Sequence, residues 1–190
     1  MSERKNDLTR QLASAAEEGA DPNPLFDLIY PELVRLARAE LARHRREATL
    51  DTRALVNEAY LKLFGGSAGA GFNNRKHFFA SAALVMRQIV VDFARRRLAE
   101  RRGAGMRPLD LDDHIIAVDS QAEQLVAIDT ALDQLAERDP RLAEIAELKF
   151  FAGLSVVELA ELLEVSTATV KRDTRLAKAF LKKQLERPAA

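Results

Sequence analysis

Apolar residues recur along this chain at the three- and four-residue spacing of helices, and short breaks cut the pattern into segments. In the first twenty residues LTRQLASAAEEGA predicts an amphipathic helix, ended by Asp21-Pro22-Asn23-Pro24. From Leu25 to His44 a second face is marked by Leu28, Ile29, Leu33, Leu36, Ala37 and Leu41, with Pro31 tolerated near a helix start. Thr52 to Phe64 predicts a third helix, in which Leu55, Ala59 and Leu63 form one apolar row and Val56 and Tyr60 the next. The run GGSAGAG, Gly65 to Gly71, predicts a flexible loop. His77 to Arg102 predicts a long helix whose apolar side is Phe78, Phe79, Ala82, Ala83, Met86, Val90 and Phe93 and whose end is arginine-rich.

Gly103 to Pro108 breaks the chain again, and Leu109 to Gln121 has no sustained period, so it reads as a linker. Beyond it, Leu125, Ile128, Leu132 and Leu135 predict a helix ended near Asp139-Pro140. Leu142, Ile145, Ala146, Leu148 and Phe150 predict the next. The expectation is an all-α protein of two small helical domains. An N-terminal extension spans 1–21, a first module 22–103, an acidic linker 104–121 and a second module 122–186.

The second module ends in LSVVELAELLEVSTATVKRDTRLAKAFLKK, from Leu154 to Lys183. Ser155 and Glu158 have the S-x-x-E spacing of a capping box, and Leu159, Leu162 and Leu163 give the helix an apolar face. Glu164-Val165-Ser166 makes a turn, with Ser166 placed to cap a second helix on which Val170, Ala177 and Leu181 share one side. Thr167, Thr169, Lys171, Arg172 and Arg175 fall on the exposed side, toward the N-terminal end. That is how a helix-turn-helix presents its recognition helix to the major groove of DNA. The competing reading is an amphipathic hairpin with a solvated basic face.

The formal net charge is zero, which argues against nucleic acid until its distribution is followed. From Leu84 to Arg107 seven arginines stand against two acids, a local +5. From Lys171 to Arg187 seven cations again stand against two acids, another +5. Between them, Leu109 to Glu147 carries eleven acids against two arginines, or −9. Two basic regions flank an acidic middle, a pattern that predicts the two modules packing against it in the free protein. The chain has no cysteine, a polar N-terminus without the marks of a signal peptide, and no apolar run that reads as a membrane span, so a cytoplasmic protein without a membrane partner is expected.

Enzymatic chemistry finds little support. His44, His77 and His114 are far apart, and GGSAGAG lacks the Lys-Ser/Thr of a phosphate-binding loop. Asp110-x-Asp112-Asp113-His114 holds metal-ligand residue types, but in an irregular segment with no second histidine nearby. No catalytic residue, metal or cofactor is expected.

The order of these pieces resembles the ECF (extracytoplasmic function) class of bacterial sigma factors. LVNEAYLKLF, Leu55 to Phe64, is similar to that family's core-binding helix, which often reads LVQETFLRAW; HFFASAALVMRQIVVDFARRR, His77 to Arg97, resembles its promoter-melting and minus-ten-reading helices. The resemblance runs from Leu25 to Leu185. It implies a non-enzymatic protein that binds core RNA polymerase, directs it to promoter DNA and helps open the duplex. Asp51, Thr52, Leu55, Val56, Asn57, Glu58, Tyr60 and Leu61 would then dock on the coiled coil of the polymerase's largest subunit. Phe72, Asn73 and Asn74 would meet unstacked minus-ten bases. Arg87, Arg95, Arg96 and Arg97 would hold phosphates. Phe78 and Phe79, at helical spacing, read rather as core. Thr167, Thr169, Lys171, Arg172 and Arg175 would read the minus-thirty-five element, and Asp110, Asp112, Asp113 and Asp119 would lie in the RNA exit path.

One departure stands out. The family usually places an acidic run close to D-A-E-D before the core-binding helix, and this chain has Asp51-Thr52-Arg53-Ala54. The lost carboxylates weaken attraction to a basic partner. Phosphorylation of Thr52, or of Thr49 as second choice, would return about −1.5 to −2 charges at a helix N-terminus. The competing reading makes Thr52 or Asp51 a simple helix cap. The sequence leaves a Ser/Thr kinase, an anti-sigma protein or neither open as the controlling partner. The alternative for the whole chain is a conventional helix-turn-helix regulator with an N-terminal dimerisation or sensory module.

Overall fold

The computed structural model describes residues 31, 33–35, 38, 52–64, 72, 74–103 and 113–186. Among them run helices α1 (Thr52–Phe64), α2 (Arg75–Gly103), α3 (Asp113–Arg138), α4 (Pro140–Phe150), α5 (Val156–Leu162) and α6 (Thr167–Leu185), and no strand. Pro31, Leu33, Val34, Arg35 and Arg38 are helical as well. The helix expected in the first twenty residues, the Asp21–Pro24 break and the glycine loop lie outside the described residues.

Local chemistry explains most of the boundaries. Asn74 starts α2, its side-chain Oδ1 accepting from the His77 N–H at 2.8 Å. Asp139 caps α4 by accepting from the Leu142 N–H at 3.1 Å, with Pro140 in the first turn, where its missing N–H costs nothing. The start of α3 corrects the linker expectation. The helix already runs through 113–121, and only 104–112 of the proposed linker lies outside it and outside the described residues. No Gly or Pro interrupts the chain from Leu109 to Asp139, so a well-packed helix extends N-terminally at little cost even where apolar periodicity fades.

α2 is the central element. It packs on α1 on one side and along α3 and α4 on the other, while α6 rests on α3, α4 and α5. Leu33, Leu55, Phe78, Phe79, Met86, Leu132, Leu135, Leu148, Val170 and Ala177 belong to one buried cluster, so the core continues from the first module into the second. By length and composition alone α2 is apolar enough to cross a membrane, contrary to the expectation of no such run; more than half of that stretch is buried inside the protein.

Candidate nucleic-acid interface

The segment from α5 to α6 is built as its sequence spacing predicts. Ser155 accepts from the Glu158 N–H at 3.2 Å, and Glu158 accepts from the Ser155 N–H at 2.8 Å, completing the capping box. Glu164 adopts a left-handed φ of 54°, turning the chain into Ser166. Ser166 Oγ accepts from the Thr169 N–H at 3.1 Å and also meets the Thr169 hydroxyl at 2.9 Å.

These caps fix the rotation of α6. Val170, Ala177 and Leu181 are buried, and Thr167, Lys171, Arg172 and Arg175 are exposed near the N-terminal end. Thr169 is half-buried, its hydroxyl committed to the cap. The sequence reading missed Asp173. It sits three residues after Val170 and four before Ala177, on the apolar face, and is 3% exposed. Its Oδ1 accepts from Arg172 Nε at 3.0 Å and lies 2.9 Å from Arg172 Nη2. Its Oδ2 lies 3.0 Å from Arg141 Nη2 of α4, a contact of charge without hydrogen-bond alignment. The available signal was an acid at an apolar register position.

The basic end of α2 behaves differently. Arg87 is buried between α2, α3 and α4. Its Nε donates to Asp129 Oδ1 at 2.8 Å, its Nη1 to Glu147 Oε1 at 2.6 Å, and its Nη2 to the Asp129 carbonyl at 2.8 Å and to Asp133. Burial alone would lower its pKa. The hydrogen bonds to Asp133 and Glu147 and the charge of Asp129 outweigh this and hold it above the ordinary arginine value. Arg95 Nη2 donates to Asp129 Oδ2 at 2.8 Å. Arg96 stays exposed, its Nε reaching the Asp92 carbonyl at 3.3 Å, and Arg97 is half-buried. Arg87 is thus corrected from a phosphate contact to an internal cation in this packing, because three carboxylates with a backbone carbonyl outcompete water for a guanidinium at that depth.

Phe72 is a second correction. It is 3% exposed, with ring centroids 5.5 Å from Phe64, 5.2 Å from Phe78 and 5.6 Å from His77. Three edge-on neighbours cover the ring expected to be open for a base. Asn74 is spent on the α2 cap, and Asn73 lies outside the described residues. Phe78 and Phe79 are core, as their spacing implied.

On α1, Leu55 and Val56 are fully buried and cannot meet a partner, which corrects their placement in a docking face. Asn57 is exposed, Leu61 is 65% exposed, and Glu58 and Tyr60 are half-buried. The first turn of α1 carries no acid, so the charge gap read from the sequence lies at the helix start. Asp51, Thr49, Asp110 and Asp112 lie outside the described residues. Among the described residues no group of His, Cys, Asp and Glu is arranged to hold a metal ion.

No curated protein and no solved structure gives a significant match to this chain. A family model does: the one described as ECF sigma factor matches residues 6–187, almost the whole length. A covering match of that extent, on an all-helical chain with the described order of helices, shows that the chain belongs to the ECF sigma factor family.

Proposed function

We propose that this sigma factor reads the minus-thirty-five element through the N-terminal half of α6. Membership of the family supports core RNA polymerase and promoter DNA as partners in promoter-specific initiation, and work with the polymerase in the cytoplasm. The observation that carries the assignment is the register of α6. Two consecutive serine caps rotate Thr167, Lys171, Arg172 and Arg175 to the outside while Val170 and Ala177 anchor the helix. A footprint of the reconstituted holoenzyme tests it. Lys171→Ala with Arg175→Ala should erase protection upstream and leave core binding intact. Unchanged upstream protection would refute the assignment.

Polymerase docking belongs to the exposed face of α1, with Leu61 as its apolar centre, Asn57 beside it and Glu58 and Tyr60 at its edge. The missing acids before this face support control by phosphorylation of Thr52, or of Thr49. Pull-down by core polymerase should rise with kinase treatment or Thr52→Glu and fall back with Thr52→Ala. Equal binding by all forms would end that reading.

Both reading sites cannot engage a promoter in the packed form. A compact chain of this length is roughly 40 Å across, from a radius of gyration of about 16 Å. The twenty-five base pairs implied by the names minus thirty-five and minus ten span about 85 Å at ~3.4 Å per pair. The contact of α2 with α3 and α4 therefore opens when the factor sits on polymerase and DNA, and Arg95, Arg96 and Arg97 then become available to phosphates.

A further inference from the structure

We infer that Asp173 is a positioning residue for sequence readout, holding Arg172 as a base reader and Arg141 as a phosphate contact that extends the interface onto α4. The inference rests on the reading of α6 as the helix that enters the major groove, and deepens it.

A carboxylate on the buried face of a helix is costly unless it is paired. Asp173 replaces the apolar residue that its register position would otherwise take, between Val170 and Ala177, and is almost wholly buried. Its two partners are not buried with it. The side chains of Arg172 and Arg141 are 66% and 54% exposed. The acid thus lies beneath the surface and its two cations stand at the rim, one from each of two helices. An ion pair serving only to join α4 and α6 would need one arginine.

The hydrogen-bond pattern says what each cation can still do. Arg172 is gripped along the edge formed by Nε and Nη2, both directed at Asp173 Oδ1. Asp173 does not engage Nη1, and the side chain is 66% exposed, which leaves the Nη1–Nη2 edge to a ligand. Two parallel donors of that kind match the O6 and N7 acceptors of guanine in the major groove. An exposed arginine otherwise samples many rotamers, and fixing it on binding costs side-chain entropy. Asp173 orders the side chain before DNA arrives, so more of the contact energy appears as discrimination between bases. Arg141 touches the other oxygen through Nη2 alone, without hydrogen-bond alignment. It is the looser of the two, fitted to a charge contact with a phosphate beside the groove rather than to base reading.

The test is transcription by reconstituted holoenzyme, using the full-length chain, on a library of promoters randomised through the minus-thirty-five region. Wild type should prefer guanine at one position by about tenfold or more, the discrimination of a good bidentate contact. Asp173→Asn and Arg172→Lys should each lose that preference at the same position while other positions hold, and the double variant should be no worse than either alone. Arg141→Ala should weaken use of all sequences alike and flatten the salt dependence by about one phosphate. Asp173→Ser stands in should Asp173→Asn fail to fold, judged by thermal unfolding and core binding. Full guanine preference in the folded Asp173 variant, together with its loss in Arg172→Lys, would overturn the positioning role and leave the reading of α6 standing. Library preferences unmoved by Arg172→Lys and by Lys171→Ala with Arg175→Ala would instead overturn the reading of α6 itself.

Discussion

The basic regions from Leu84 to Arg107, mostly in α2, and from Lys171 to Arg187, mostly in α6, carry equal local charge and spend it differently. Arg87 and Arg95 of α2 turn onto Asp129, Asp133 and Glu147, so part of the first basic region neutralises the acidic middle from within. Lys171 and Arg175 of α6 face outward, and the acid nearest them, Asp173, orients Arg172 and leaves most of its side chain exposed. The difference arises from register. Arg87 lies on the same side of α2 as Met86 and Val90, where a third helix must pack, whereas the α6 cations lie opposite Val170 and Ala177. A charge run therefore defines an interface only once the helix carrying it has been rotated by its apolar residues and caps.

The largest effect that would break this comparison comes from Arg87→Ala. Asp133 and Glu147 would lose their cation and Asp129 one of its two, and Asp129 and Glu147 are mostly buried, so unfolding in urea should show a loss of about 3 kcal/mol. A variant as stable as wild type would mean that the α2 arginines are not used internally. Next comes Lys171→Ala with Arg175→Ala. Promoter binding by the holoenzyme should fall roughly tenfold, and the slope of log affinity against log salt should drop by about two. Stability should hardly move, which is the reverse of the Arg87 result. Ser166→Ala should cost about 1 kcal/mol by removing the cap that sets α6 in register. Smallest is Arg96→Ala, expected to change stability by less than about 0.5 kcal/mol, because Arg96 is an exposed member of the region whose buried member matters most.

Much of the fold is legible in the sequence, for local reasons. The capping box at Ser155 and Glu158, the turn at Glu164 and the Asp139-Pro140 junction each satisfy their own backbone groups within a few residues, so spacing alone identifies them. What escaped depends on partners distant in sequence. Phe72 looked available because it follows a glycine loop, and only its approach to Phe64 and Phe78 shows that it is covered. Arg87 looked like one arginine among seven until α3 and α4 brought their acids to it. The first turns of α3 were hidden because their apolar periodicity is weak, and Asp173 because the sequence counts it against its neighbours' charge without showing what it grips. The +5/−9/+5 distribution implies that both basic regions turn onto the acidic middle; Arg87 and Arg95 of the first do, whereas Lys171, Arg172 and Arg175 of the second stay exposed.

The central claim is that this chain confers promoter selectivity on polymerase. Its most direct test adds the full-length protein, untreated and kinase-treated, to purified core RNA polymerase, and maps the transcripts made from a promoter library. A stoichiometric complex and initiation at defined start sites are expected, with upstream selectivity lost in the Lys171→Ala, Arg175→Ala variant. A protein that binds duplex DNA alone, forms no complex with core in either state and yields no defined start sites would contradict it.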